Sequence, residues 1–342
     1  MNRQVLLRRR PVGRPVADDF EIVTSPTPPV KDAGDVLRRT IFLSLDPYMR
    51  GRMSDAPSYA TPVALGQVMV GQTISEVIES RHPAFTTGDL VVASDGWQEY
   101  GCSNGQALRK IDPALAPISY SLGVLGMPGL TAYVGLLDIG QPKAGETVVV
   151  SAASGAVGSV VGQIAKIIGC RAVGIAGGPD KCDYVVRELG FDAAADHQRA
   201  DFGDALAAVC PNGIDVYFDN VGGHVLKAAL RLINQNARIP LCGTIADYNA
   251  TEPPPGPNLR PLLVNRAMIK GFIVTDHGDR LPAFLRDCAG WLAAGNIRYR
   301  EDIVDGLENA PAALLKLFDG RNFGKLLVRV ALHTSRDGIK HV

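Results

Sequence analysis

Between residues 147 and 169 the hydrophobic pattern changes its period within one short stretch. Thr147 to Ser151 is a β-branched run, the composition of a strand buried on both faces. After a turn of small residues, Val157, Val160, Val161, Ile164, Ala165 and Ile168 recur at the 3.6-residue spacing of a helix with one buried face. Gly169 is placed to end that helix. The pattern predicts strand, tight turn and helix in direct succession.

Around this stretch the chain divides by period. From residue 1 to about 120, short strands alternate with Gly, Pro and Asp turns: Gln4 to Leu7, Phe20 to Val23, Val36 to Leu43, Gln72 to Ile78, Leu90 to Ala93 and Leu108 to Ile111. These predict an antiparallel β-rich domain, a partly closed barrel. From Gly123 helices enter, first at Leu125 to Leu137, stopped by Gly140 and Pro142. Strands then alternate with helices: Thr147, Arg171, Ile214, Arg238 and Met268 (to Val274) open strands, and helices follow at Lys181 to Leu189, Phe202 to Val209, Val225 to Ile233 and Leu281 to Ala294. Alternation of this kind requires parallel strands with crossover helices, the doubly wound α/β architecture. After Gly295, Ile297 to Ile303, a helix from Ala312 to Phe318 and Lys325 to Ala331 return to the β-rich domain. The doubly wound domain, 123–295, is thus expected as an insertion between 1–122 and 296–342, with the active site in the cleft at the carboxyl ends of the parallel strands.

The turn after the first parallel strand places Ala153, Gly155 and Gly158 at the positions of a dinucleotide fingerprint, with alanine at the first. Gly155 would let a pyrophosphate approach the backbone, and Gly158 would let helix and strand pack closely. A merely close-packed glycine turn is the alternative. The helix that follows offers unpaired N–H groups and a positive dipole end to phosphates. An NAD site carries Asp or Glu at the end of the second strand, roughly 20 residues on, to hold the ribose 2′-hydroxyl. Here that strand runs into Ala176-Gly-Gly-Pro-Asp-Lys181, with no carboxylate at its end. Lys181 can meet a 2′-phosphate as a point charge, so NADP(H) is expected over NAD(H). Asp180 weakens that reading, and a solvated first-turn lysine is its alternative.

Composition narrows the rest. At 342 residues and 46% hydrophobic the chain can build two cores. Its 35 Lys and Arg balance 35 Asp and Glu, and no basic face argues for nucleic acid. Apolar runs stop well short of a bilayer span. Arg3, Arg8, Arg9, Arg10 and Arg14 precede the first acid, Asp18, as in a transit peptide, but Pro11 and Pro15 oppose an amphipathic helix and a first strand is the better reading. Cys102, Cys170, Cys182, Cys210, Cys242 and Cys288 stand apart, without C-x-x-C spacing, which fits reduced cytoplasmic thiols rather than disulfides or structural zinc.

Five motifs carry a resemblance: Leu43-Ser-Leu-Asp-Pro-Tyr-Met-Arg-Gly-Arg-Met53, Gly126-Met-Pro-Gly-Leu-Thr-Ala-Tyr133, Ala152-Ala-Ser-Gly-Ala-Val-Gly158, Tyr217-Phe-Asp-Asn-Val-Gly-Gly223 and Asn322-Phe-Gly-Lys325. With them the chain resembles the zinc-independent branch of the medium-chain dehydrogenase/reductase superfamily, and within it the prostaglandin reductase and alkenal double-bond reductase family. The resemblance implies a Rossmann sheet inserted in a GroES-like antiparallel β domain, and NADPH-dependent reduction of the carbon-carbon double bond of α,β-unsaturated aldehydes or ketones. It implies that Gly155, Ala156, Val157 and Gly158 hold the pyrophosphate and Lys181 the 2′-phosphate. Asn220, Cys242, Gly243 and Tyr248, then Phe272, Ile273, Val274 and Asn322, would lie along the cofactor. Where the family has Tyr beside the 2′-phosphate, this chain has His197, so affinity is expected to weaken above about pH 6.5. Relatives pair as homodimers through the edge of the cofactor sheet. Zinc-dependent relatives need a Gly-His-Glu segment where this chain has Leu65-Gly-Gln-Val68, so no metal is expected.

Hydride delivered to the β-carbon of an enone leaves negative charge on the carbonyl oxygen, so donors must face that oxygen and a proton must reach the α-carbon. Two tyrosines are candidates. Tyr48 is expected to project into the cleft, or else to pack as an ordinary aromatic, and Tyr248 follows the fifth parallel strand at the ligand-binding edge. The resemblance favours Tyr248. Arg50 and Arg52 are expected to pair with Asp46 and Asp55, with fixing of acidic substrates as the alternative; Asn265 and His277 are weaker pocket candidates, and His82 and His224 are expected at the surface. A quinone oxidoreductase and a non-catalytic NADPH-binding protein are the competing readings.

Overall fold

The computed structural model describes residues 1–332; of the stretch 296–342 expected to return to the β domain, residues 333–342 lie outside the described residues. Strands in chain order are β1 (Asn2–Leu7), β2 (Phe20–Ser25), β3 (Val36–Ser44), β4 (Thr73–Ser80), β5 (Leu90–Ala93), β6 (Tyr100–Ser103) and β7 (Arg109–Lys110). There follow β8 (Thr147–Ser151), β9 (Arg171–Ala176), β10 (Ala193–Asp196), β11 (Ile214–Phe218), β12 (Ile233–Leu241), β13 (Met268–Gly271), β14 (Glu301–Asp305) and β15 (Lys325–Arg329). The chain forms two compact units, one of Met1–Leu122, Asp302–Arg321 and, among the described residues, 326–332, the other of Gly123–Glu301 and Asn322–Lys325.

The first unit is antiparallel. Its main sheet runs β14-β15-β3-β4-β5-β7, with β6 on β3 and a separate β1-β2 ribbon. Val5, Leu7, Leu43, Leu45, Met49 and Trp97 form its core, with Trp97 stacked on Phe20 at 5.5 Å. Arg38 and Asp95 are buried as an ion pair, and Asp95 also accepts from Thr73 and Ser75. Such pairing is the condition on which charges are kept inside a protein.

In the second unit six parallel strands run in the order β10-β9-β8-β11-β12-β13. Every residue of β8 is buried, as the β-branched run requires of a strand covered on both faces. The helix Gly158–Ile168 begins one residue after the periodic stretch opens and stops at Gly169, whose φ of 90° is the left-handed C-terminal stop. From β8 the sheet winds one way to β9 and β10, and from β11 the other way to β12 and β13. The strand order therefore reverses between β8 and β11, where open α/β sheets bind ligands.

Observed elements differ from the predicted ones in several places. The strand expected from Met268 to Val274 ends at Gly271, because its partner β12 ends at Leu241, paired with Gly271. β12 starts at Ile233, ahead of the expected Arg238, and takes in the polar Asn234-Gln235-Asn236, where Asn236 sits at φ 62°. β10 was not predicted: Ala193-Ala-Ala-Asp196 has no β-branched residue, and its pairing with β9 makes it a strand.

Candidate active site

The site is built first from the turn between β8 and the helix Gly158–Ile168. Ala152 leaves the strand at φ 51°, and its carbonyl accepts the Gly155 amide at 2.9 Å. A Cβ on Gly158 would stand 2.3 Å from the Ala152 oxygen and 2.9 Å from the Ala153 Cα, so only glycine lets the helix begin this close to the strand. A Cβ on Gly155 would meet the same oxygen at 3.1 Å and next the Ala152 Cβ at 4.0 Å, leaving its other side open. Val157 stands at the N-cap and offers no side-chain acceptor to the first turn. Ser159 donates its amide to the Gly155 carbonyl at 3.0 Å, and Val160 and Val161 theirs to the Val157 carbonyl at 3.1 and 3.0 Å, so an acceptor from outside would meet the amides that precede them in the turn. A glycine cradle below an uncapped helix fits the pyrophosphate of a dinucleotide. Gly155 also forms a parallel bridge with Gly324, which lays the segment Asn322–Lys325 along the turn, and Asn322 Nδ2 donates to the Gly324 carbonyl at 3.0 Å.

Beside it, β11 ends in a buried carboxylate. Asp219 Oδ1 accepts from the Ser151 hydroxyl at 3.0 Å, the Tyr217 hydroxyl at 2.8 Å and the amides of Val221 and Gly222 at 3.0 Å each. Its main-chain oxygen accepts the Cys242 and Gly243 amides at 2.8 and 3.2 Å. Asn220 donates its amide to Ser151 Oγ and its side chain to the Ser151 carbonyl, both at 2.8 Å. The Asp219 carboxylate thus ties the end of β8 to the end of β11 and the turn that follows, while its main-chain oxygen holds Cys242 and Gly243 at the end of β12. Asp219 was not among the sequence candidates; an acid inside an otherwise apolar strand end, Tyr217-Phe-Asp-Asn, was the available signal. Cys242 is no nucleophile at neutral pH, since burial and the adjacent Asp219 push its thiol up to about 12.

At the end of β9 the helix Pro179–Arg187 starts with Gly178 at its N-cap and no side-chain cap, and Lys181 is in its first turn. Asp196, at the end of the next strand, accepts the Gly178 and Gln198 amides at 2.9 Å each. His197 follows it, half-buried, with His224 5.6 Å away ring to ring. The structure therefore brings Lys181 and His197 to neighbouring strand ends, as β9 and β10 pair in register from Ala193 to Asp196.

Tyr248 lies after the short turn Ile245–Asp247, and its hydroxyl is 3.1 Å from where a Cβ on Gly243 would be. Phe272 packs edge-on against Phe218 at 6.2 Å and against His277 at 6.3 Å, which places His277 behind Phe272. Ile273 and Val274 lead into the turn Val274–Arg280 rather than extending β13. Asn265 ends the short helix Arg260–Asn265. Tyr48 belongs to the first unit, where it opens the helical turn Met49–Arg52 and packs on that unit's core, and burial followed by Asp46 pushes its hydroxyl pKa up. Arg50 donates to the Gly13 carbonyl at 2.8 Å, while Asp55, expected beside an arginine of the same loop, lies 3.6 Å from Arg10 instead. His82 is partly buried, accepting the Ala84 amide and packing on Phe85, whereas His224 is exposed as expected. Among the described residues no group of three or more His, Cys, Asp or Glu is arranged to hold a metal ion, and no helix is long and apolar enough to cross a membrane.

Two family models match the chain: "N-terminal domain of oxidoreductase" over residues 3–111 and "Zinc-binding dehydrogenase" over residues 156–289. NADPH-dependent curcumin reductase of Escherichia coli (strain K12) is 52% identical over 340 residues, covering 96% of this chain and 97% of the relative. The NADP(+)-dependent 2-alkenal reductase of Nicotiana tabacum is 43% identical over 335 residues, covering 96% and 98%. The crystal structure of CurA in complex with NADPH from Vibrio vulnificus superimposes with a TM-score of 0.93 at 52% identity, covering 97% of this chain and all of that one. Identity at this level over nearly the full length, on the fold just described, makes the chain a member of the zinc-independent medium-chain dehydrogenase/reductase family that includes the curcumin, prostaglandin and alkenal reductases.

Proposed function

We propose that this chain is an NADPH-dependent reductase of the carbon-carbon double bond of α,β-unsaturated aldehydes and ketones. The observation that carries the reading is the turn from Ala152 to Gly158, closed so tightly that a single methyl at Gly158 would strike the backbone, in a chain half identical to NADPH-dependent reductases. In this reading Gly155, Ala156, Val157 and Gly158 hold the pyrophosphate, Lys181 and His197 the 2′-phosphate, and Asn220, Cys242, Gly243, Phe272, Ile273, Val274 and Asn322 the rest of the cofactor. A reduced nicotinamide held there supplies a hydride for the β-carbon of the substrate.

The chain's own residues do the remaining work. Tyr248 donates its hydroxyl proton toward the substrate carbonyl oxygen, where negative charge grows, and a donor fixed in place costs no reorganisation at that moment. Asp219 orders the loop that carries Tyr248 by holding the Cys242 and Gly243 amides.

A second copy of the chain is the partner this reading assigns to β13. All four of its residues are exposed, and Met268, Ile269, Leu263 and Val264 form an apolar strip on this edge strand and the helix before it. Ile269→Lys should then convert a dimer to a monomer in light scattering, and a parent that is itself monomeric would refute the pairing.

Purified protein with NADPH and 2-nonenal tests the function. Loss of nicotinamide absorbance with nonanal as product supports the reading. Turnover of quinones alone would assign a quinone oxidoreductase, and tight NADPH binding without turnover on enals, enones or quinones would assign a binding protein.

A further inference from the structure

The end of the site near β9 and β10 holds two imidazoles where one positive side chain would suffice. His197 follows Asp196 at the end of β10, and a Cβ on Gly177, at the end of β9, would stand 3.0 Å from His197 Nε2. The ring therefore borders the turn Gly177-Gly178 that leads into the uncapped helix carrying Lys181. His224 comes from another element, the first turn of the helix Gly223–Leu230, and lies 5.6 Å from His197 at 52°. Its Nε2 is 3.3 Å from the His197 carbonyl, and its other face meets the Phe202 ring at 6.0 Å. His224 thus contacts both the backbone and the ring of His197.

We infer that His197 and His224 make this pocket proton-linked: His197 takes up a proton when a 2′-phosphorylated dinucleotide binds, and His224 sets the pH range over which it does so. The inference rests on the cofactor reading above.

The groups facing His197 give the sign. Burial lowers its pKa below the ordinary imidazole value, the neighbouring His224 lowers it further, Asp196 opposes and Lys181 adds to the lowering. Arg199, the next cation along the loop, is occupied by Asp201 at 2.7 Å. Before binding, then, His197 is a neutral ring at pH 7. A phosphate dianion brought beside it favours the charged form, so a proton must be drawn from solution. Because the neighbouring His224 lowers the pKa of His197, its removal raises the pH at which His197 charges.

Titration calorimetry of the full chain with NADPH, at pH 6 to 8 in two buffers of different ionisation enthalpy, measures the affinity and the protons taken up. Parent protein should take up on the order of half a proton near pH 7, and its Kd should rise several-fold from pH 6.5 to 8. NADH, lacking the 2′-phosphate, should bind with no uptake. His197→Gln should abolish the uptake and flatten the pH dependence. His224→Gln should keep the uptake but move its maximum upward by several tenths of a pH unit. The titration of the phosphate itself near pH 6 is common to all three proteins and cancels in the comparison. Equal uptake in parent and His197→Gln, or an unmoved maximum in His224→Gln, overturns the inference while leaving the cofactor reading intact. No NADPH binding by the parent overturns both.

Discussion

Tyr217 and Asp219, two residues apart at the end of β11, are joined by a hydrogen bond of 2.8 Å from phenol to carboxylate, with both side chains fully buried. The same oxygen of Asp219 receives Ser151 and two amides, and its partner oxygen has no hydrogen bond. Removing the carboxylate would strand four buried donors, each costing about 1 to 3 kcal/mol before relaxation. Asp219→Ala should therefore lower stability by about 3 kcal/mol in urea titration, and Tyr217→Phe, which removes one donor, by about 1 kcal/mol. Similar losses from the two would show that the carboxylate does not organise the strand ends.

The two glycines of the turn separate fold from ligand. Gly158→Ala forces a methyl to 2.3 Å from a backbone oxygen, so it should destabilise the protein by about 2 kcal/mol or more and weaken NADPH binding as well. Gly155→Ala meets that oxygen at 3.1 Å and should cost less than about 1 kcal/mol, yet reduce NADPH affinity at least about tenfold because the methyl occupies the phosphate approach. Thermal unfolding and NADPH fluorescence on both variants give the comparison. Unchanged affinity in Gly155→Ala would remove the pyrophosphate from this turn.

An enzyme that handles electrophilic enals must not be alkylated by them. Burial, the leading cause at each site, raises Cys170, Cys182 and Cys210 to about 11 and Cys242 and Cys288 to about 12, and raises Cys102 as well. A thiol at 11 is thiolate to only about 0.1% at pH 8. Intact-mass spectra after exposure to 2-nonenal at pH 8 should show no adduct on the five thiols raised to about 11 or 12 in the native protein and adducts after denaturation. Rapid labelling of native Cys242 would contradict the assignment of these thiols as inert.

Acid stability follows from two paired carboxylates. Burial, the largest single cause, acts to raise Glu146 and Asp192, but the hydrogen bonds and charge of Arg238 and Lys166 together with the Lys143 and Ala172 amides outweigh it, and both pKa values are lowered. Groups with folded values below the unfolded ones contribute stability above the unfolded range, about pH 4, and lose it as pH falls through the folded values. The urea midpoint should stay level from pH 7 to about 5 and decline below about 4, less steeply in a Glu146→Gln, Asp192→Asn double variant. An identical decline in that variant would assign the acid sensitivity to other groups.

How much of this could be read beforehand depended on local pattern. The β8 run and the helix to Gly169 were legible because burial on both faces and the 3.6-residue period leave direct marks on composition. β10 was not, since Ala193-Ala-Ala-Asp196 becomes a strand only by pairing with β9. Asp219 escaped for a related reason: it reads as no more than the last residue of the strand from Ile214 until Ser151, Tyr217 and two amides are seen to converge on it. His224, read as a surface residue, is exposed, and its contact with His197 spans 27 residues of sequence.

The central claim is hydride delivery to a β-carbon, and isotope placement tests it most directly. With NADPH deuterated at C4 and 2-nonenal as substrate, the account predicts nonanal carrying deuterium on its β-carbon and an unlabelled aldehyde. Deuterium at the carbonyl carbon of an allylic alcohol, or no transfer of label, would contradict it.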